Sequence, residues 1–328
     1  AAGGTLVAAI SGEPDQLDPQ VTSAYVSFQV LENVLDTLVE PDDNLVMQPA
    51  LAEAWEVSED GLTVTFALRD GVTFHDGSPL TAADVVYSYD RIRESANNGW
   101  RFGTVTEVAA PDDSTVVFTL SAPTPNLLSH IGAFKGMGIV QQANVESGDI
   151  TTAPIGTGPF SVAEWTTGDS IELVRNDAYW GGAPALDGVT YRFIPDATVA
   201  LTNVQTGDAH WTDNLPAQQI NNLMDASDIV VTGVPSNDYW YFAPNQAREP
   251  FSDARVRQAI AYAIDRDAIV QAALFGNAAV NQTAIPATSG WYLDYAPYTR
   301  DLEMAQALLD EAGVGEFEMD LMVVSSEA

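Results

Sequence analysis

The sequence predicts an α/β fold, and three observations carry that prediction. Apolar residues alternate with polar ones in short runs, as at Leu62, Val64, Phe66 and Leu68, the period of a half-buried strand. Between such runs lie segments with helix-start residues and helical spacing, such as Thr81 with Asp84, then Val85, Tyr89 and Ile92. The 328 residues, 46% hydrophobic, are enough for two domains with real cores.

From the start of the chain, residues 5–11 read as a short apolar strand closed by Gly12-Glu13-Pro14. Asp18-Pro19 and the polar run 21–25 lead into a helix with Phe28, Leu31, Val34, Leu35 and Leu38 on its buried side. In the stretch 55–92, Ser58-Glu59-Asp60-Gly61 supplies a turn, Gly61 taking a positive φ, before the strand 62–68 and the capped helix from Thr81. Residues 115–120 form a strand with Val116 and Phe118 on one side, 123–130 a short helix, and 135–140 a strand entering a loop. The segment Pro154-Ile155-Gly156-Thr157-Gly158-Pro159-Phe160 lacks the Lys-Ser/Thr and following helix of a phosphate loop. It reads instead as a tight crossing where backbones approach closely.

Strands at 160–165, 171–175 and 191–194 follow, and Asp196 is placed to cap a helix through Val199, Leu201 and Val204. In the aromatic run 239–242, strand alternation puts Tyr239 and Tyr241 on one face and Trp240 and Phe242 on the other. One pair fills a core and the other lines a cleft, or both are core. Ser252 reads as the cap of a helix striped by Val256, Ile260 and Ile264, and Asp265 as the cap of the next. A last helix, 301–312, ends on Gly313, and 318–324 alternates like a strand.

Several of these stretches together resemble the family-5 extracellular solute-binding proteins of ABC importers. The family pattern "P-x-L-A-x-x-W" meets Pro49, Leu51, Ala52 and Trp55. "L-R-x-G-V-x-F-H-D-G" meets residues 68–77, and "T-A-x-D-V-x-Y-S" meets 81–88. "P-x-G-T-G-P-F" meets 154–160, "R-N-x-x-Y-W-G-G-x-P" meets 175–184, and "P-F-x-D-x-R-V-R-Q-A-I" meets 250–260. The resemblance implies a two-lobe periplasmic-binding-protein-like fold of class II, the large peptide-binding type with an extra subdomain. Residues 1–40 and 155–245 would build the first lobe, 41–154 its extra subdomain, and 246–328 the start of a second lobe left incomplete.

The resemblance further implies a receptor that captures a small solute, a short peptide first, between two lobes. It would deliver that solute to the transmembrane subunits of an ABC permease, from the periplasm or the extracellular face, as a monomer when full length. Nickel chelates, opines and oligosaccharides remain open within the family, and a secreted hydrolase is the alternative from another class. Candidate ligand contacts carried over are Ser23 and Tyr25 in the early loop, Met137 where nickel-binding members carry arginine, and His210 where the family has aspartate. Tyr239, Trp240, Tyr241 and Asn245, in the aromatic run and the "F-N" after it, complete the set.

An enzyme reading rests on nothing positive in the sequence. The three histidines, His75, His130 and His210, lack metal-ligand spacing, no serine sits in a nucleophile elbow, and neither cofactor nor metal is expected. With 46 acidic and 12 basic residues the net charge is −34, which repels nucleic acid and anionic membrane surfaces. A strongly hydrated surface suited to a saline setting accounts for that charge, and an acidic cleft is the alternative. The absence of cysteine rules out disulfides. Ala1-Ala2-Gly3-Gly4 resembles what signal-peptide cleavage leaves, and a recombinant start would look the same.

Overall fold

The computed structural model describes residues 3–224, 228–234, 239–289 and 291–323. Two units, Ala1–Leu215 and Pro216–Ala328, each have their own packing. The first runs β1 (Thr5–Ile10), α1 (Tyr25–Leu31), β2 (Val39–Pro41), β3 (Met47–Pro49), β4 (Ala52–Val57), β5 (Thr63–Leu68) and α2 (Ala82–Glu94). It continues with β6 (Val105–Asp112), β7 (Thr115–Leu120), α3 (Leu127–Ile131), α4 (Gln142–Ser147), β8 (Phe160–Thr166), β9 (Ser170–Arg175), β10 (Gly188–Phe193), α5 (Ala197–Thr206) and β11 (Trp211–Thr212).

Two larger sheets divide this unit. One has the order β11-β1-β10-β9-β8, with β1 parallel to both β10 and β11 and the remaining pairs antiparallel. The other is the antiparallel set β4-β5-β7-β6. In it Val64, Phe66 and Leu68 are buried as the alternation requires, and Gly61 takes φ +68° in the turn before them. Helix α2 lies against that sheet through Val85, Tyr89 and Ile92, with the Tyr89 ring 4.9 Å from Phe118 and 5.5 Å from Phe102 in edge-on contacts. Its start is set by Asp84, whose carboxylate accepts from the Thr81 N–H at 2.9 Å and the Thr81 hydroxyl at 2.8 Å.

Two expectations fail here for a common reason. Helix α1 stops at Leu31, although Val34, Leu35 and Leu38 are fully buried as expected. Continuing the helix would occupy the carbonyls of Asn33 and Val34, which instead accept the N–H groups of Phe160 and Gly158. The run 135–140 is no strand but a 3-10 turn, Lys135–Met137, followed by extended chain. Its Ile139 N–H goes to the Asp36 carbonyl, a single bond with no ladder beside it.

The second unit contains α6 (Ala217–Met224), α7 (Ala254–Ala263), α8 (Arg266–Leu274) and α9 (Leu302–Ala312). Asp265 caps α8 as its position suggests, and Asp301, read as the first residue of the last helix, is the cap of α9. The cap of α7 is Asp253 rather than Ser252, because its carboxylate accepts the Arg255 N–H at 2.8 Å while also holding the Arg255 guanidinium at 2.5 Å. That guanidinium reaches on to the Glu311 carbonyl at the end of α9. The aromatic run 239–242 forms no strand ladder, and neither do residues 318–323; Val324, the last residue of that expected strand, lies outside the described residues.

Candidate functional site

The signature motifs converge in space, and they converge on structure. Asp36, 2% exposed, accepts from the Thr157 hydroxyl and the Trp180 indole N–H, both at 2.8 Å. Burial pushes its carboxyl above the ordinary value, opposed by nearby Lys135 and by those two donors. Gly156 and Gly158 lie so close to Val34 that a Cβ on either would fall 2.0 Å and 2.6 Å from its backbone. His75 locks the same crossing: Gly156 N–H donates to its Nδ1, so the proton is on Nε2, which reaches the Gly158 carbonyl at 3.0 Å. Burial lowers the His75 pKa, with the Gly158 bond and Asp76 opposing.

The early loop is held by a second network. Arg91 on α2 donates to both carboxylate oxygens of Asp18, at 2.8 and 2.5 Å, and also to the side chain of Gln20. Ser95 and Asn97 donate to the Gln20 and Val21 carbonyls at 2.9 Å each. Asp15 then accepts from Thr22 and Ser27, which hold its carboxyl below the ordinary value although burial acts the other way. Residues 18–27 are thus strapped at both ends.

Beside that loop lies a cavity of about 260 Å³ lined by Thr22, Ser23, Phe28, Asn97, Asn98 and Phe134. The Phe28 and Phe134 rings meet edge-on at 5.0 Å. Trp100, 68% exposed, follows on the same turn, its indole N–H on the Asn97 carbonyl. Uncharged amides and hydroxyls with two aromatic walls suit a ligand that offers peptide groups and apolar side chains. They supply no acid–base pair.

Of the expected contacts, only Ser23 lines this cavity. Tyr25 opens α1 two residues on and is exposed. Met137 is fully enclosed in the hydrophobic core, so its side chain meets protein on every side. Lys135, the chain's one lysine, is buried and ion-paired with Glu40. His210 stands at the β1 edge, where its backbone N–H and its Nδ1 both engage Val7. In the second unit Tyr239 and Tyr241 stack obliquely at 6.0 Å, Trp240 is 71% exposed, and Asn245 caps a turn through the Ala247 N–H. Sequence reasoning missed Phe28, Asn97, Asn98 and Phe134 as cavity walls. No periodicity marks them, and the signal within reach was a tryptophan in a polar turn, Asn97-Asn98-Gly99-Trp100.

The three histidines are all held by backbone groups, His130 through the Arg101 carbonyl, and no cluster of metal-ligating side chains occurs among the described residues. Also among the described residues, no helix is long and apolar enough to cross a membrane.

The profile of the bacterial extracellular solute-binding proteins, family 5 Middle, matches residues 46–322. The chain is 31% identical over 312 residues to the glutathione-binding protein GsiB of Pectobacterium atrosepticum, covering 94% of this chain and 61% of the relative. The oligopeptide-binding protein AppA of Bacillus subtilis, solved with a nonapeptide, superposes with a TM-score of 0.84 at 30% identity. That superposition covers 95% of this chain and 64% of the other. The periplasmic binding protein DppA of Helicobacter pylori, solved with the peptide STSA, gives 0.82 at 27% identity, over 95% and 66%. The chain therefore spans about three fifths of the length of the first of these relatives.

Proposed function

The chain belongs to the bacterial extracellular solute-binding proteins of family 5, a family of binders rather than enzymes, and from that membership we propose that it captures a short peptide for an ABC importer. Its place is outside the cytoplasm, periplasmic or extracellular, and its partner is the importer's membrane permease. The observation that carries the peptide reading is the likeness to relatives named for, or solved with, peptides: glutathione, STSA and a nonapeptide. The cavity supports it, since Thr22, Ser23, Asn97 and Asn98 offer amide and hydroxyl partners without selecting a charge.

Ser23 and Tyr25 are the contacts we assign to the early loop, and Tyr239, Trp240, Tyr241 and Asn245 those we assign to the second unit. His210 and Met137 are engaged by the protein itself and rank below them. Isothermal titration with tri- to pentapeptides is expected to give saturable heat with no product, and mass spectrometry of the purified protein a co-purifying peptide. Removing an aromatic wall by Phe28→Ala should weaken binding by about 1–3 kcal/mol, the scale of a buried aromatic contact. Steady turnover of a peptide, or binding of a nickel–histidine chelate in place of peptides, would replace this reading.

A further inference from the structure

We propose that Arg101 is the carboxylate-reading contact of the cavity, binding an anionic end or side chain of the captured peptide. The inference deepens the peptide reading and rests on it. Arg101 sits in the turn Gly99–Phe102, directly after the cavity residues Asn97 and Asn98, and its N–H bonds back to the Asn98 carbonyl. Its guanidinium lies 4.6 Å from the centre of the Trp100 ring and 5.5 Å from that of Phe134, itself a cavity wall. Two aromatic faces hold the planar group in place, so little side-chain freedom remains to be lost when an anion docks.

Among the described residues the guanidinium has no hydrogen-bond or ion-pair partner. Three buried side-chain polar atoms are unpaired among the described residues, and Arg101 Nε is the only cationic one of them. No acceptor for the rest of the guanidinium exists among the described residues either. The chain carries 46 carboxylates, and they pair with its neighbours: Arg91 with Asp18, Arg93 with Asp90, Lys135 with Glu40. An arginine presents five donors in a fork that fits a carboxylate, and a buried donor left open is costly. A cation left open beside a cavity, in a chain of net charge −34, is an isolated point of attraction for an anion in a field that otherwise repels it.

The test is titration of the purified full chain and its Arg101→Gln and Arg101→Lys variants with four probes. These are Ala-Ala-Ala as free acid, the same peptide as its C-terminal amide, and the amides of Ala-Glu-Ala and Ala-Gln-Ala. The wild type is expected to prefer one carboxylate over its neutral counterpart at least tenfold. A preference within the first pair assigns the C-terminus, and within the second pair an acidic side chain. Arg101→Gln should reduce that preference to less than threefold with the neutral peptides bound as before, and Arg101→Lys should restore part of it. Wild-type binding with no acid preference, or a preference that survives Arg101→Gln, overturns this inference alone. Failure of the wild type to bind any of the four overturns the peptide reading together with it.

Discussion

Arg91→Leu removes the clamp on the early loop, and its cost follows from the geometry. The Asp18 side chain is 4% exposed and the Arg91 side chain 24%, with two N–H···O bonds of 2.8 and 2.5 Å between them. Charges about 4 Å apart attract by about 4 kcal/mol at the effective dielectric of ~20 that suits such sites. Deleting one partner of a buried pair costs about 3–5 kcal/mol, because the other charge stays buried and unpaired. Water reaching the quarter-exposed arginine reduces this, so a loss of about 2–4 kcal/mol is expected. Asp18 would keep one backbone donor, the Gln20 N–H at 3.1 Å. Urea unfolding followed by tryptophan fluorescence reads the loss. The double variant Asp18→Asn/Arg91→Leu should recover at least half of it, since no charge is then stranded. Peptide affinity should fall in the single variant, because Thr22 and Ser23 reach the cavity on this loop. A loss under about 1 kcal/mol, the scale of an exposed pair, would refute the argument that the clamp is buried and directs the loop.

Three further outcomes are expected. His75 has a pKa held below the ordinary 6.5, so as pH falls the unfolded chain takes up its proton first. The stability it contributes is whole above about pH 6.5 and is lost as pH drops toward the folded value, so the wild type should lose more stability from pH 7 to 5 than His75→Gln does. Equal slopes in urea titrations at the two pH values would contradict this. Gly156→Ala sets a Cβ 2.0 Å from the Val34 carbonyl oxygen and should cost about 3 kcal/mol or more, the upper end for overpacking, in the shift of the urea midpoint. Gly12→Ala, with open space around it, should stay within about 0.5 kcal/mol. Finally, self-repulsion at a net charge of −34 should make the melting temperature rise between 0.01 and 1 M salt, where the screening length falls from about 30 to about 3 Å; a flat calorimetric profile over that range removes the saline-surface argument.

The sequence by itself determined what short-range chemistry decides. Asp84, Asp196, Asp265 and Asp301 cap helices where they stand, and Gly61 and Gly313 turn the chain at φ +68° and +69°. Each of these depends on groups a few residues apart, so local spacing is enough. The alternation of Val64, Phe66 and Leu68 was equally legible, because the pleat itself puts every second side chain on the buried face and the hairpin partner β4 lies just before it along the chain. Where partners are distant, the pattern alone could not decide. The runs at 135–140, 239–242 and 318–323 have strand-like composition but no adjoining ladder, and an extended segment becomes a strand only when a neighbour takes its N–H and C=O groups. The end of α1 at Leu31 was set from 125 or more residues away, by Gly158 and Phe160 claiming the carbonyls that a longer helix would use. The cavity is tertiary in the same sense. Ser23 was found through a family motif, whereas Asn97 and Asn98 enter because Arg91, Ser95 and Asn97 tie the early loop to the end of α2, and Phe134 enters through its edge-on contact with Phe28. Arg101 reads in the sequence as one more charge on a polar turn, and only folding sets the Phe134 ring 5.5 Å from its guanidinium, beside that of Trp100 at 4.6 Å, with its buried Nε lacking a hydrogen-bond partner among the described residues.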